Sequence, residues 1–111
     1  MLTACSIFET SEATHILNGP SYPPLNSASV AIYIEKPNFK YTVIGIVEAR
    51  GMGYYDEARD QELAIVALKR EAASIGANGV IISDSRQEIA NVSKDGVSTE
   101  RRIKGIAIRY Q

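Results

Sequence analysis

One cysteine and one histidine in 111 residues remove much of the chemistry by which small domains staple themselves together. A lone thiol closes no internal disulfide, and a lone imidazole without cysteines beside it builds no structural zinc site, so neither metal nor cofactor is expected. No apolar run reaches the roughly 18 to 20 residues with which a helix crosses a bilayer, so attachment to a membrane requires an anchor. An excess of one charge is missing too. Twelve basic and thirteen acidic residues give a formal charge of -1, and without a basic field nucleic acid is not an expected partner. His15 has no Cys, Asp or second His close in sequence to act with it. Ser83 and Ser85, set among Asp84 and Asp95, therefore lack the base that a nucleophilic serine needs, and the chain does not read as an enzyme.

What remains is ordinary globular material. An apolar fraction of 45% beside 23% charged residues suffices for a core, and the length suits one domain. The first residues read as an address. Leu2-Thr3-Ala4-Cys5 is similar to the lipobox of bacterial lipoproteins, in which small residues let the backbone enter the peptidase cleft and the thiol forms the thioether to lipid. Only Met1 precedes the box, whereas an exported precursor carries a basic segment and an apolar stretch of about 7 to 15 residues, so a longer upstream leader is expected. Ser6, following the cysteine, is similar to sorting signals for the outer membrane. Residues 6–27 are rich in Ser, Thr, Asn, Pro and Gly, and read as a flexible tether with a reach of about 25 Å. The expected division is residues 1–28 as lipobox remnant and tether, and 29–111 as an α+β domain.

Within that domain, 29–34 alternates in apolar character as a strand does, and 41–50 is apolar on both faces at its centre, as suits an interior strand. Gly51-Met52-Gly53 breaks the pattern, and Asp56 and Glu57 stand where a helix N-terminus favours carboxylates. A helix is expected over 56–75 with Ala64, Ile65, Leu68, Ala72 and Ile75 toward the sheet, and Gly76 as its left-handed cap. Strands over 79–83, 87–93 and 98–110 follow, with Asp95-Gly96 as a hairpin signal. The fold class is α+β: a single mixed sheet, β-β-α-β-β-β, with one long helix on one face. Leu63 and Val66 fall outside the helix stripe. Ala31, Tyr33, Val43, Gly45, Val47, Gly105 and Ala107 would leave the far side of the sheet small and apolar, which predicts self-association there, with docking of the segment around Ile16, Leu17 and Tyr22 as the alternative cover.

Tyr22-Pro23-Pro24, Tyr41-Thr42-Val43-Ile44-Gly45 and the run from Leu68-Lys69-Arg70-Glu71-Ala72 through Gly76-Ala77-Asn78-Gly79-Val80-Ile81 carry a family resemblance. The chain resembles small bacterial proteins related to the Rcs-pathway outer-membrane sensor lipoprotein and to YbjQ-like domains. This resemblance implies an envelope location, and, from the YbjQ-like side, ring oligomers and metal association. The disulfides that brace the signalling member have no counterpart after Cys5, and no matching metal ligands follow residue 15.

Candidate binding residues are few. Gly51-Met52-Gly53 before a helix could cradle phosphate, but Asp56 and Glu57 fill and repel such a site. Tyr54 and Tyr55 could stack a ligand or pack against the sheet edge. Arg101, Arg102 and Lys104, with Arg109 beyond, could touch acidic headgroups or a polyanion, or serve as a charged edge that deters aggregation. The reading is a lipid-anchored binding or sensing module of the outer membrane, lipidated at Cys5, that contacts an envelope protein or its own copies; the alternative is a self-assembling structural component.

Overall fold

The computed structural model describes residues 10–54, 57–93 and 96–111. The elements are β1 (Thr10–Leu17), β2 (Ala31–Tyr33), β3 (Thr42–Tyr54), α1 (Glu57–Ser74), β4 (Gly79–Ser93) and β5 (Gly96–Arg109), with a 3₁₀ turn over Ser27–Ser29. All five strands form one mixed sheet in the order β1-β3-β5-β4-β2, and α1 packs on one face, which is the α+β architecture expected from the pattern. β3 runs antiparallel to β1 and β5, β5 antiparallel to β4, and only β2 is parallel to its neighbour, β4. The crossover from β3 through α1 to β4 thus joins parallel strands, with β5 inserted between them by its hairpin with β4.

Three expectations are corrected. Residues 10–17 are not tether: they form β1, an edge strand paired from Thr10 with Met52 to Leu17 with Gly45. Polar composition hid this strand, because an edge strand with one face open to water needs few apolar side chains. The Arg50–Glu12 ion pair at 2.6 Å and a hydrogen bond between His15 and Glu71 of α1 fasten it further. Second, residues 79–93 form one continuous strand rather than two. Third, Gly51 lies inside β3, where a Cβ would stand 2.4 Å from Asp60 O and 2.7 Å from Leu63 Cβ. That glycine is required by the close approach of the helix, and Leu63 accordingly lies against β3, not away from it. The break expected at Gly51-Met52-Gly53 is replaced by continuous strand and helix-to-sheet packing.

The faces of the sheet also differ from the expected assignment. A bulge between Val43 and Gly45 makes Ile44 an extra residue and exchanges the faces beyond it. Gly45, Val47, Ala49 and Gly51 therefore lie under α1, with Val47 and Ala107 wholly buried. The far side carries Arg50, Arg102 and Arg86 in one row, with Glu48, Lys104 and Asp84 in the next. Its apolar part is not the small-residue surface expected but a row of larger side chains, Ile16, Ile46, Ile106 and Ile81, beside these charged rows.

The core is built from small residues. Ala64, Ala67, Leu68, Ala72 and Ala73 of α1 are buried against Val47, Ala49, Val80, Ile103 and Ala107, at the i, i+3, i+4 spacing of one helix face. Ala67 and Ala73 join the expected stripe, while Ile65 is only half-buried. Asp60 is fully buried in this face and accepts hydrogen bonds from Gln87 Nε2 at 2.9 Å and from Thr99 Oγ1, tying α1 to β4 and β5.

The helix ends as the sequence predicts. Gly76 has φ +84°, Gly76 N donates to Ala73 O at 3.0 Å and Ala77 N to Ala72 O at 3.0 Å, the paired bonds of a Schellman cap. A Cβ on Gly76 would lie 2.4 Å from Tyr22 Cβ. Gly76→Val is therefore expected to cost about 3 kcal/mol or more, from backbone strain and overlap. Leu68→Asp should cost at least as much, since burying the leucine alone contributes about 1.5–3 kcal/mol. Asp60→Ala should cost about 1–3 kcal/mol by leaving two half-buried donors without their acceptor. Urea denaturation of the three variants checks the ranking.

Candidate functional site

Where α1 ends, three separate segments meet. The connection from β1 to β2 crosses the helix end, with Leu25 N donating to Ala73 O at 2.8 Å and Tyr22 covering Gly76. Arg109, the last residue of β5, donates from Nη1 to Gly76 O at 2.9 Å and stacks its guanidinium over the Tyr22 ring, 5.1 Å from the centroid. A cation at the negative end of the helix dipole and over an aromatic face is doubly favoured. Asn78 then holds the chain beyond β5: its Nδ2 donates to Tyr110 O at 2.7 Å, and Tyr110 N donates to its Oδ1 at 3.0 Å.

This clamp sets Tyr110 against the segment between β2 and β3. Phe39 and Tyr110 are tilted at 58° with centroids 4.8 Å apart, and Tyr33 meets both edge-on at 6.0 and 6.2 Å. Ile108 is fully buried although it stands outside the core beneath the helix, and it converges with Tyr33 and Tyr110 over Gly79, where a Cβ would lie 3.0 Å from Ile108 Cγ1 and Tyr110 Cε1 and 3.1 Å from Tyr33 Cε2. Tyr33 Oη and Tyr110 Oη are hydrogen-bonded at 3.0 Å. The Tyr110 phenol is pushed above the ordinary tyrosine range, first by this shared hydrogen bond, which its neutral form retains, and then by burial.

Beside the cluster opens a cleft of about 960 Å³ walled by Tyr22, Phe39, Tyr41 and Tyr110 and flanked by Lys40 and Arg109. No carboxylate side chain lines it. Lys40 is exposed and has no ion-pair partner among the described residues; Arg109 has the Gly76 carbonyl and the Tyr22 ring. On the sheet face away from α1 the guanidinium groups are paired with carboxylates. Arg102 pairs with Glu88 at 3.4 Å and with Glu100, Arg50 with Glu12 and with Glu100 at 3.6 Å, and Arg86 with Asp84 at 3.3 Å. Glu100 holds the Arg102 pKa above its ordinary value through its hydrogen bond and its charge, with smaller contributions from Glu88 and Glu48.

The candidate residues read from the sequence are dispersed by this arrangement. Arg101 lies on the helix side of the sheet and donates to Ser85 Oγ at 3.2 Å, while Arg102 and Lys104 lie on the opposite side. Alternation along a strand separates neighbours in this way, so the three basic residues do not form one patch. Tyr54 ends β3 at the other end of the sheet from the cleft. Tyr55 and the lipidation candidate Cys5 lie outside the described residues. The cleft residues were missed as a group because they come from three distant segments. The available signal was aromatic crowding: Phe39-Lys40-Tyr41 in one segment and Arg109-Tyr110 in another. Among the described residues no cluster of three or more His, Cys, Asp or Glu side chains could hold a metal ion.

Fold and cleft together define a small α+β domain with an aromatic, cationic cleft at one end of its sheet. No family model matches the chain, and no curated protein matches it. Among solved structures, the crystal structure of the Francisella virulence factor FvfA is similar, with 17% sequence identity over 91% of this chain and 100% of that one, and a TM-score of 0.59. At that identity the likeness is one of fold alone.

The Tyr33–Tyr110 bond predicts an alkaline transition. Because the folded Tyr110 phenol keeps its proton above the unfolded value of about 10, its contribution to stability is complete below that pH and is lost as pH rises through the folded pKa. Tyrosinate absorbance should show a late-titrating phenol that moves to lower pH in Tyr33→Phe.

Proposed function

We propose that this chain is a lipid-anchored binding or sensing module of the bacterial envelope, without catalytic activity, whose working surface is the cleft formed by Tyr22, Phe39, Lys40, Tyr41, Arg109 and Tyr110. The observation that supports this reading is the separation of that cleft from the start of β1. Cys5 stands five residues before Thr10, so a lipid at Cys5 would hold Thr10 within about 17 Å of the membrane even with the intervening chain extended. β1 then runs away from Thr10 for eight residues, toward the sheet end that holds the cleft. At about 3.3 Å per residue this is roughly 25 Å. A lipid anchor at one end would thus leave the cleft facing outward, toward an envelope partner.

A second reading, a self-assembling structural component, has one observation in its favour. β2 pairs with β4 only from Gly79 to Ile81, which leaves the outer edge of β4 beyond Ile81 without a partner strand among the described residues. Open edges of this kind accept strands from other chains. Sedimentation of the purified chain separates the readings: a species that stays monomeric across a wide concentration series excludes the second.

The anchor is tested on the precursor expressed with its upstream leader in a bacterial host. The expected mature N-terminus by mass spectrometry is a lipidated Cys5 bearing more than one acyl chain, because a single chain binds membranes only marginally. Cys5→Ser should release the protein from the membrane fraction. An unmodified Cys5 in membrane-bound protein would sink the anchor.

A further inference from the structure

We propose that the cleft binds a saccharide that carries a carboxylate or phosphate group. This rests on the reading of the cleft as the binding surface, and not on the lipid anchor.

Charge gives the first argument. The chain carries a net charge of -1, yet its cleft presents Lys40 and Arg109 and no acidic side chain. Neither has a side-chain carboxylate partner among the described residues, unlike Arg50, Arg86 and Arg102, and because both line one cleft they are available together to an external anion. Arg109 is also held in place before any ligand arrives. One nitrogen is fixed on Gly76 O and the plane is fixed over Tyr22, while the remainder of the guanidinium has no protein partner among the described residues. A preorganised guanidinium loses less side-chain freedom on meeting a carboxylate or phosphate than a mobile one.

The walls decide what carries the anion. The nearest helix terminus is the C-terminal end of α1, whose dipole disfavours a bare anion. Binding therefore needs a contribution from the rings. Phe39 is 41% exposed, and its contacts with Tyr33 and Tyr110 hold it in a fixed orientation. The hydroxyls of Tyr22 and Tyr41 have no hydrogen-bond partner among the described residues, and Thr42 adds another polar group to the lining. Apolar ring faces interleaved with free hydroxyls suit a pyranose, which offers polarised C–H groups on one face and hydroxyls around its rim. A purely aromatic body would leave those hydroxyls unmatched. The volume of about 960 Å³ is within the range of small-ligand sites.

The test is calorimetric titration of the purified full chain with glucose 1-phosphate and with galacturonate, against glucose, inorganic phosphate and phenyl phosphate. Saturable binding of at least one charged sugar is expected, with each of the other three weaker by about tenfold or more. Lys40→Glu and Tyr41→Ala should each weaken the charged sugar by about tenfold or more. Lys40→Glu removes an exposed, unpartnered side chain, so an unchanged melting temperature confirms that its loss of binding is not unfolding. Arg102→Ala, on the far side of the sheet, should bind as the parent does. Absence of binding by both charged sugars overturns the proposal, as does equal binding of glucose, phosphate or phenyl phosphate, or a Lys40→Glu chain that binds normally. Sugar binding by a chain whose precursor is never lipidated overturns the envelope reading alone. A lipidated protein that ignores both sugars overturns this proposal alone.

Discussion

The carbonyl groups of the last turn of α1 must find donors, and the way they do so organises the end of the molecule where the cleft lies. Within the helix no residue remains to serve them. The chain turns back through Gly76 in the left-handed region, which returns two donors to Ala72 and Ala73. Leu25 N brings the β1–β2 connection to the same turn, and Arg109 brings the end of β5 to Gly76 O. One local shortage of donors thus joins segments more than eighty residues apart in sequence. Tyr22 and Arg109 become two sides of the cleft because both are drawn to that one helix end.

Charge is partitioned by the same architecture. The side of the sheet away from α1 carries an isoleucine row and, beyond it, charged rows whose members pair across strands. Such pairs contribute little each when exposed. Glu100 is the exception, since it is buried between Arg50 and Arg102 and leaves neither of them free to act as a basic patch. Lys40 and Arg109 stand instead where the aromatic residues are. On the helix side, Asp60 introduces polarity into an otherwise apolar packing surface. Its Oδ1, together with Gln87 Oε1 and Arg101 Nε, is buried without a protein partner, the circumstance in which a bound water is most strongly held.

Long periodic segments were legible in the sequence. The helix from 57 to 74, its glycine cap, the interior position of β3 and the β4–β5 hairpin follow from spacing, glycine placement and apolar runs. β1 was not legible, because Thr10-Ser11-Glu12-Ala13-Thr14-His15 has the composition of a linker and becomes a strand only when β3 offers it a hydrogen-bonding edge. The face assignment of β3 failed at one residue. Ile44 occupies a bulge that no local propensity announces, and one extra residue reverses every side chain after it.

The cleft was out of reach for a different reason. Tyr22, Lys40, Tyr41, Arg109 and Tyr110 carry no motif spacing, and Arg101-Arg102 with Lys104 offered a more compact basic run. A run of basic residues on a strand is split between two faces, whereas residues far apart in sequence are gathered where strand and helix ends coincide. By itself the sequence determined the elements set by local periodicity: the α+β class, the helix and its cap. Only tertiary structure decided which residues share a surface, because sheet order, a one-residue bulge and the docking of three segments on one helix end are properties of contacts between distant parts of the chain.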